Sequence, residues 1–202
     1  MNTSIKNPNN AFKRCIYQAF AILTSVILLG YSFNGTPGFF VFLFIGGWLS
    51  WTFVEYCVHR FLMHELILPK EKKNIFNHQR HHQHPEELDV KPIHRLGIFI
   101  VFLVILTISI RLNNSFTIFA GFFSGFLFYN FLHYLLHQPF CRYLLPQIQR
   151  NHILHHTRYP NHGYSFSTSL WDTLFGTLPP KDAKISTRMQ EHFFHKSTKK
   201  IL

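Results

Sequence analysis

Phe116-Thr-Ile-Phe-Ala-Gly-Phe-Phe-Ser-Gly-Phe-Leu-Phe-Tyr-Asn-Phe-Leu-His133-Tyr-Leu-Leu-His137 contains no Asp, Glu, Lys or Arg, and it ends in two histidines four residues apart. A helix needs about 20 apolar residues to cross the hydrocarbon core of a bilayer. The stretch therefore reads as a membrane span whose last turn delivers a pair of imidazoles. Histidine is the commonest metal ligand among the side chains, and polar groups beside lipid are costly unless something binds them. The fold turns on how many such spans the chain has and where the other histidines fall.

Three further apolar runs cover residues 16–33, 38–58 and 95–111. The first ends at the turn signal Asn34-Gly35-Thr36-Pro37 and the third at Arg111-Leu112-Asn113-Asn114-Ser115. With 115–136 they pair into two hairpins. The expected fold is an all-α integral membrane protein: one domain over 1–202, with four transmembrane helices in two hairpins. Residues 59–94 and 137–185 form a cytosolic helical cap, followed by a tail over 186–202 that lies on the membrane surface or is disordered. The outer turns carry only Arg111, and every other Lys and Arg lies before the first span, between the second span and Leu96, or after the fourth. The positive-inside rule then places both termini and the 56–95 connection in the cytoplasm.

Composition narrows the class. The net charge of +11 invites a nucleic-acid reading, but no recognition motif accompanies it, and the basic residues flank apolar runs. Anionic lipid headgroups suit that pattern, and nucleic acid is not expected as a partner. Cys15, Cys57 and Cys141 are too few and too scattered for a disulfide framework or a thiolate zinc site. No small-residue cleavage site follows the first apolar run, so it does not read as a signal peptide.

Ten of the 15 histidines fall into four boxes: His59 with His64, then His78, His81 and His82, then His133 with His137, and finally His152, His155 and His156. Spacings of three and four put residues on one helical face. Adjacent residues diverge by about 100°, so His81 and His82 should not serve one ion together, nor should His155 and His156. Two neighbouring ions, each taking one member of every adjacent pair, resolve this. His59 and His64, about 140° apart on an α-helix, can be divided in the same way. All four boxes fall on the cytoplasmic side of the expected topology. Imidazole suits zinc, iron, copper and nickel, so residue type alone does not choose the metal.

The residues around the boxes carry a resemblance. Glu55-Tyr56-Cys57-Val58-His59-Arg60-Phe61-Leu62-Met63-His64, His78-Gln-Arg-His81-His82-Gln-His84-Pro85, Tyr129-Asn130-Phe131-Leu132-His133-Tyr134-Leu135-Leu136-His137, His152-Ile-Leu-His155-His156 and Trp171-Asp172-Thr173-Leu174-Phe175-Gly176-Thr177 occur in that order. Together they resemble the fatty acid hydroxylase/sterol desaturase superfamily of membrane di-iron enzymes, over residues of about 40 to 180. The opening and closing segments are most similar to fatty acid 2-hydroxylases.

The resemblance implies an oxygen-dependent monooxygenase that hydroxylates a free or lipid-bound acyl chain at two iron ions. Zinc is able to replace iron in a purified protein but not in redox chemistry. Carotenoid hydroxylases and sterol desaturases or oxidases of the same superfamily are the alternatives. A non-enzymatic metal-binding or transport protein is a distant one, because transporters place their ligands near the midplane. The ten histidines are the implied metal ligands, and no side chain is implied as nucleophile, acid or base. Glu55, His84, Asp89, Asn130, Tyr134, His162 and Asp172 are candidates for orienting the ligating rings. His94, His192 and His195 are expected to be peripheral. No cytochrome b5-like segment lies within these residues, so a separate donor is implied, either cytochrome b5-like or a ferredoxin with its reductase.

Overall fold

The computed structural model describes Tyr17 and residues 36–65, 78–85 and 92–194. Apart from Tyr17 the expected first span lies outside the described residues, as do most of its turn and Asp89. So do Cys15, His195, the rest of the tail from 195 onward and the side chain of His94. The described chain is helical, with no strand among the described residues. Its contacts divide it into two compact units, Met1–Phe61 with Val90–Tyr129, and Leu62–Asp89 with Asn130–Leu202.

Three long helices dominate the first unit's described part: α1 (Pro37–Cys57), α3 (Pro92–Leu112) and most of α4 (Phe116–Leu136). α1 starts where the sequence signals a start. The Thr36 hydroxyl accepts the Phe39 amide at 3.2 Å, and Pro37 occupies a position where a missing N–H costs nothing. Among the described residues, Pro37–Glu65 and Phe116–Leu136 are long and apolar enough to cross a membrane.

α1 and α4 approach backbone to backbone. A Cβ on Gly47 would meet the Phe122 amide at 2.8 Å and collide with the Ile118 carbonyl, and one on Gly121 would collide with the Phe44 carbonyl. Small residues spaced by four give membrane helices this close packing. Trp51 fills the next layer, edge-on to Phe122 at 5.2 Å and Phe126 at 5.0 Å. α3 differs: Leu96, Phe99, Ile100, Val104 and Ile110 are all exposed, leaving an uncovered apolar surface.

The second unit is built on short helices: α2 (His78–Gln83), α5 (Cys141–Leu144), α6 (Pro146–Thr157), α7 (Leu170–Phe175) and α8 (Thr187–Phe194). α6 lies at its centre, with every residue from Asn151 to His156 buried. α8 departs from expectation. Part of the anticipated surface tail is helical, and Phe193 is 1% exposed. Its ring packs on those of His137, His152 and His156, which a tally of Lys, His and Ser does not reveal.

Candidate metal centre

His59 and His64 lie on a π-helical segment, Val58–Glu65, that continues α1. A π-helix bonds each N–H to the carbonyl five residues back. Residues five apart therefore stand about one turn apart on one face, not 140° apart as on an α-helix. The expectation that these two could be divided between ions rested on α geometry, and the local winding corrects it. His59 is buried and His64 half-buried.

Within the second unit, His64, His78, His82 and His155 each turn one ring nitrogen inward, all within 4.8 Å of one another. His81, His133, His137, His152 and His156 form another group under the same limit. The adjacent pairs part: His81 and His82 fall in different groups, as do His155 and His156. The rule is simple. Pairs four apart (78 and 82, 133 and 137, 152 and 156) share a group, and the residue three along goes to the other one. The groups abut, with His82 stacked on His156 at 4.3 Å and 13°.

Ring nitrogens face each other at 2.8 Å for His64 and His78, 2.9 Å for His78 and His82, and 3.1 Å for both His81 with His133 and His137 with His152. Two imidazoles at right angles on one ion, each about 2.1 Å from it, would hold their nitrogens about 3.0 Å apart. No described group bonds either nitrogen of the buried His156. Buried polar atoms are seldom left so, and a metal ion is the partner that suits them. Burial first, then neighbouring imidazoles, hold His82 and His137 down at about 3 and push His152 and His156 well below the ordinary value. These rings are neutral at pH 7, the state a ligand requires. The donor set therefore fits a metal pair.

Surrounding residues hold the rings in place. His155 donates its Nδ1–H to the main-chain carbonyl of His162 at 2.8 Å. His162 thus acts through its backbone, while its ring packs beside Tyr159 at 5.9 Å. Asp172 touches no histidine ring by hydrogen bond among the contacts resolved. Its carboxylate accepts the amides of Tyr164 at 3.0 Å and Ser165 at 2.8 Å and the Thr177 hydroxyl at 2.7 Å. Gly176, in the left-handed region at φ 67°, ends α7 and returns the chain so that Thr177 reaches Asp172.

This clasp explains the Trp-Asp-x-Leu-Phe-Gly-Thr segment, because it presents Tyr164 and Phe166 to the histidines. Phe166 stacks on His133 at 5.0 Å and meets His152 edge-on at 4.4 Å. Tyr164 lies 5.5 Å from His64, and its hydroxyl donates to Glu65 at 3.4 Å. Burial raises the Asp172 pKa, and the bonds from Thr177, Ser165 and Tyr164 oppose that shift.

Of the remaining candidates, Glu55 is buried on α1, Asn130 and Tyr134 are half-buried on α4, and His84 is exposed. Sequence reasoning missed two residues. Gln149 is buried and donates through Nε2 to the carbonyls of Leu136 at 2.7 Å and Gln138 at 2.8 Å, fixing the chain on both sides of His137. Phe193 stacks on His137 at 4.6 Å. Gln149 lies three residues before His152, on the helix that the last box already indicated. Phe193 had no comparable signal.

A cavity of about 350 Å³ opens on the first group, lined by Leu62, Met63, His64, His78, Gln79, His82 and Pro160. Its size falls in the range of small-molecule sites, and Leu62, Met63 and Pro160 give it an apolar side. In the second group His137, His152 and His156 are buried and His81 and His133 half-buried, and in the first group His155 is buried.

Residues 44–177 match the family model described as fatty acid hydroxylase. The fatty acid 2-hydroxylase of Mus musculus is 34% identical over 164 residues, covering 76% of this chain and 44% of the relative. Dihydroceramide fatty acyl 2-hydroxylase FAH2 of Arabidopsis thaliana is 32% identical over 145 residues, 66% of this chain and 59% of the relative. The chain spans about half the length of the curated relatives it matches. Among solved structures, full-length scs7p, of which only the hydroxylase domain is visible, is similar with a TM-score of 0.53 at 26% identity. That match covers 89% of this chain and 67% of the other. Sequence and fold point the same way, and the chain belongs to the fatty acid hydroxylase family.

Proposed function

We propose that the protein is an oxygen-dependent di-iron lipid hydroxylase that places a hydroxyl on a fatty acyl chain, at the 2-position, free or within a ceramide-type lipid. The observation that carries this reading is the pair of abutting imidazole groups in a chain of this family. The relatives named above act on fatty acyl groups, which favours that substrate over a carotenoid or a sterol.

His64, His78, His82 and His155 hold one ion, and His59 joins them by its place one turn before His64. His81, His133, His137, His152 and His156 hold the other. The metal pair supplies the redox chemistry that breaks an unactivated C–H bond, which zinc is unable to supply. Two electrons per turnover come from a redox partner, a cytochrome b5-like protein or a ferredoxin with its reductase.

The protein's own residues position and exclude. The cavity at Leu62, Met63 and Pro160 receives the acyl chain beside the half-buried His64, His78 and His82. Phe166 keeps water from the second group, and the His162 carbonyl fixes the His155 tautomer, leaving its Nε2 as ligand. Four spans in two hairpins, with both termini and the metal centre cytoplasmic, complete the reading. The apolar runs at 16–33 and 95–111 and the exposed apolar residues of α3 support it.

Comparative lipidomics of cells with and without the gene tests the substrate: one lipid class should gain the mass of a single oxygen. Gain on β-carotene alone would overturn the acyl assignment. One tightly bound metal per chain, with no oxygen uptake under any reductant, would overturn the di-iron reading.

A further inference from the structure

Metal-bound histidines commonly donate their second ring nitrogen to a carbonyl or carboxylate, which fixes the ring plane. His155 has such a partner. His137 and His152 at Nδ1, and His156 at both nitrogens, have none among the described residues. What they share is an aromatic ring. Phe193 stacks on His137 at 4.6 Å and 16°, and meets His156 at 5.3 Å and His152 at 5.5 Å, both edge-on.

Phe193 lies on α8, where Arg188, Gln190, Glu191 and His192 are exposed, so the helix is held to the unit largely by this side chain. Two further anchors flank it. The Arg150 guanidinium donates to the carbonyls of Pro180 at 2.9 Å, Lys181 at 3.0 Å and Ala183 at 2.7 Å, fixing the segment that leads into α8. His192 Nε2 donates to the His82 carbonyl at 3.3 Å. The family match stops at residue 177, so α8 and Phe193 lie outside it.

We propose that Phe193 is a positioning residue of the metal centre: its ring orients His137, His152 and His156 in place of hydrogen bonds and seals that group from water. The inference rests on the di-metal reading. A flat apolar ring restricts rotation of a stacked imidazole, and its bulk denies water and chelator a path to the ligands. The sealed group should exchange its ion slowly, and the group facing the cavity should exchange faster.

The test uses the full chain in detergent, loaded with iron or cobalt, comparing wild type with Phe193→Ala, Phe193→Leu and Phe193→Tyr. Wild type should hold two ions and lose them to EDTA in two phases. Phe193→Ala and Phe193→Leu should speed the slow phase by about ten-fold or more. In the cobalt-loaded protein both should also change the visible absorption bands of one ion. Phe193→Tyr, which keeps the ring, should restore both readouts. Leucine keeps apolar volume, so it separates ring orientation from general packing if the alanine variant fails to fold. A Phe193→Leu variant with wild-type release kinetics and spectrum overturns the inference while leaving the di-metal reading intact. A wild-type chain that binds fewer than two ions overturns that reading and the inference with it.

Discussion

The Nδ1–H of His155 is held by the main-chain carbonyl of His162 at 2.8 Å, so the two residues make unequal demands on their side chains. His155→Ala should remove a ligand, lower the metal content by one ion per chain and abolish hydroxylation with membrane insertion intact. His162→Ala keeps the carbonyl and should keep the metal. Elemental analysis of both purified variants checks this. Equal losses would mean that the His162 ring, not its backbone, is the functional group.

Gln149 donates to the Leu136 and Gln138 carbonyls that bracket His137, and the Cys141 amide also reaches the second of them at 3.0 Å. A buried acceptor left unmade costs about 1–3 kcal/mol. Gln149→Leu should lower stability by at least that amount. Gln149→Glu should be worse, because an ionised carboxylate cannot donate and faces two carbonyl oxygens. Thermal unfolding of the detergent-solubilised chain gives the ranking, and unchanged midpoints would refute it.

Asp172 accepts two amides and a hydroxyl, and Asn at that position offers only one oxygen. Asp172→Asn turns an NH2 group toward one of those donors. It should loosen the 163–177 loop, making it cleavable by protease at concentrations that leave the wild type whole. Substitution without any gain in cleavage would show that the clasp is dispensable.

Gly121→Ala should cost more than Gly125→Ala. The new Cβ at 121 would collide with the Phe44 carbonyl, whereas at 125 the nearest atom is the Trp51 Cβ at 2.7 Å, a lesser overlap. Overpacking of this kind costs about 1–3 kcal/mol. Unfolding of the two variants in parallel checks the order.

His82 and His137 titrate at about 3 in the folded chain against 6.5 for an ordinary imidazole. A depressed folded pKa means that the unfolded chain binds protons first. Stability is then complete above pH about 6.5 and is lost as pH falls from there toward 3. The metal-free chain should show a falling melting temperature across that window and a flat one above it. A midpoint independent of pH between 7 and 4 would refute the burial of these rings.

Much of this was legible in the sequence because it depends on local periodicity. The uncharged run at 116–137 specifies a helix wherever it lies, and α1, α3 and α4 coincide as helices with three of the apolar runs within a few residues. The separation of His81 from His82 and of His155 from His156 follows from the angle between neighbours on a helix, which spacing alone fixes.

Tertiary structure decided what depends on partners distant in sequence. The π-helical winding that sets His59 and His64 on one face is absent from their spacing. The Asp172 clasp joins amides seven and eight residues upstream and, past the left-handed Gly176, the Thr177 hydroxyl five residues downstream. Gln149 reaches back to Leu136, and Phe193 packs on His137 across more than fifty residues of chain. Periodicity specifies which face a residue occupies. Only the packed chain specifies what meets that face, because a buried ring or amide is stabilised by whichever group completes its surroundings.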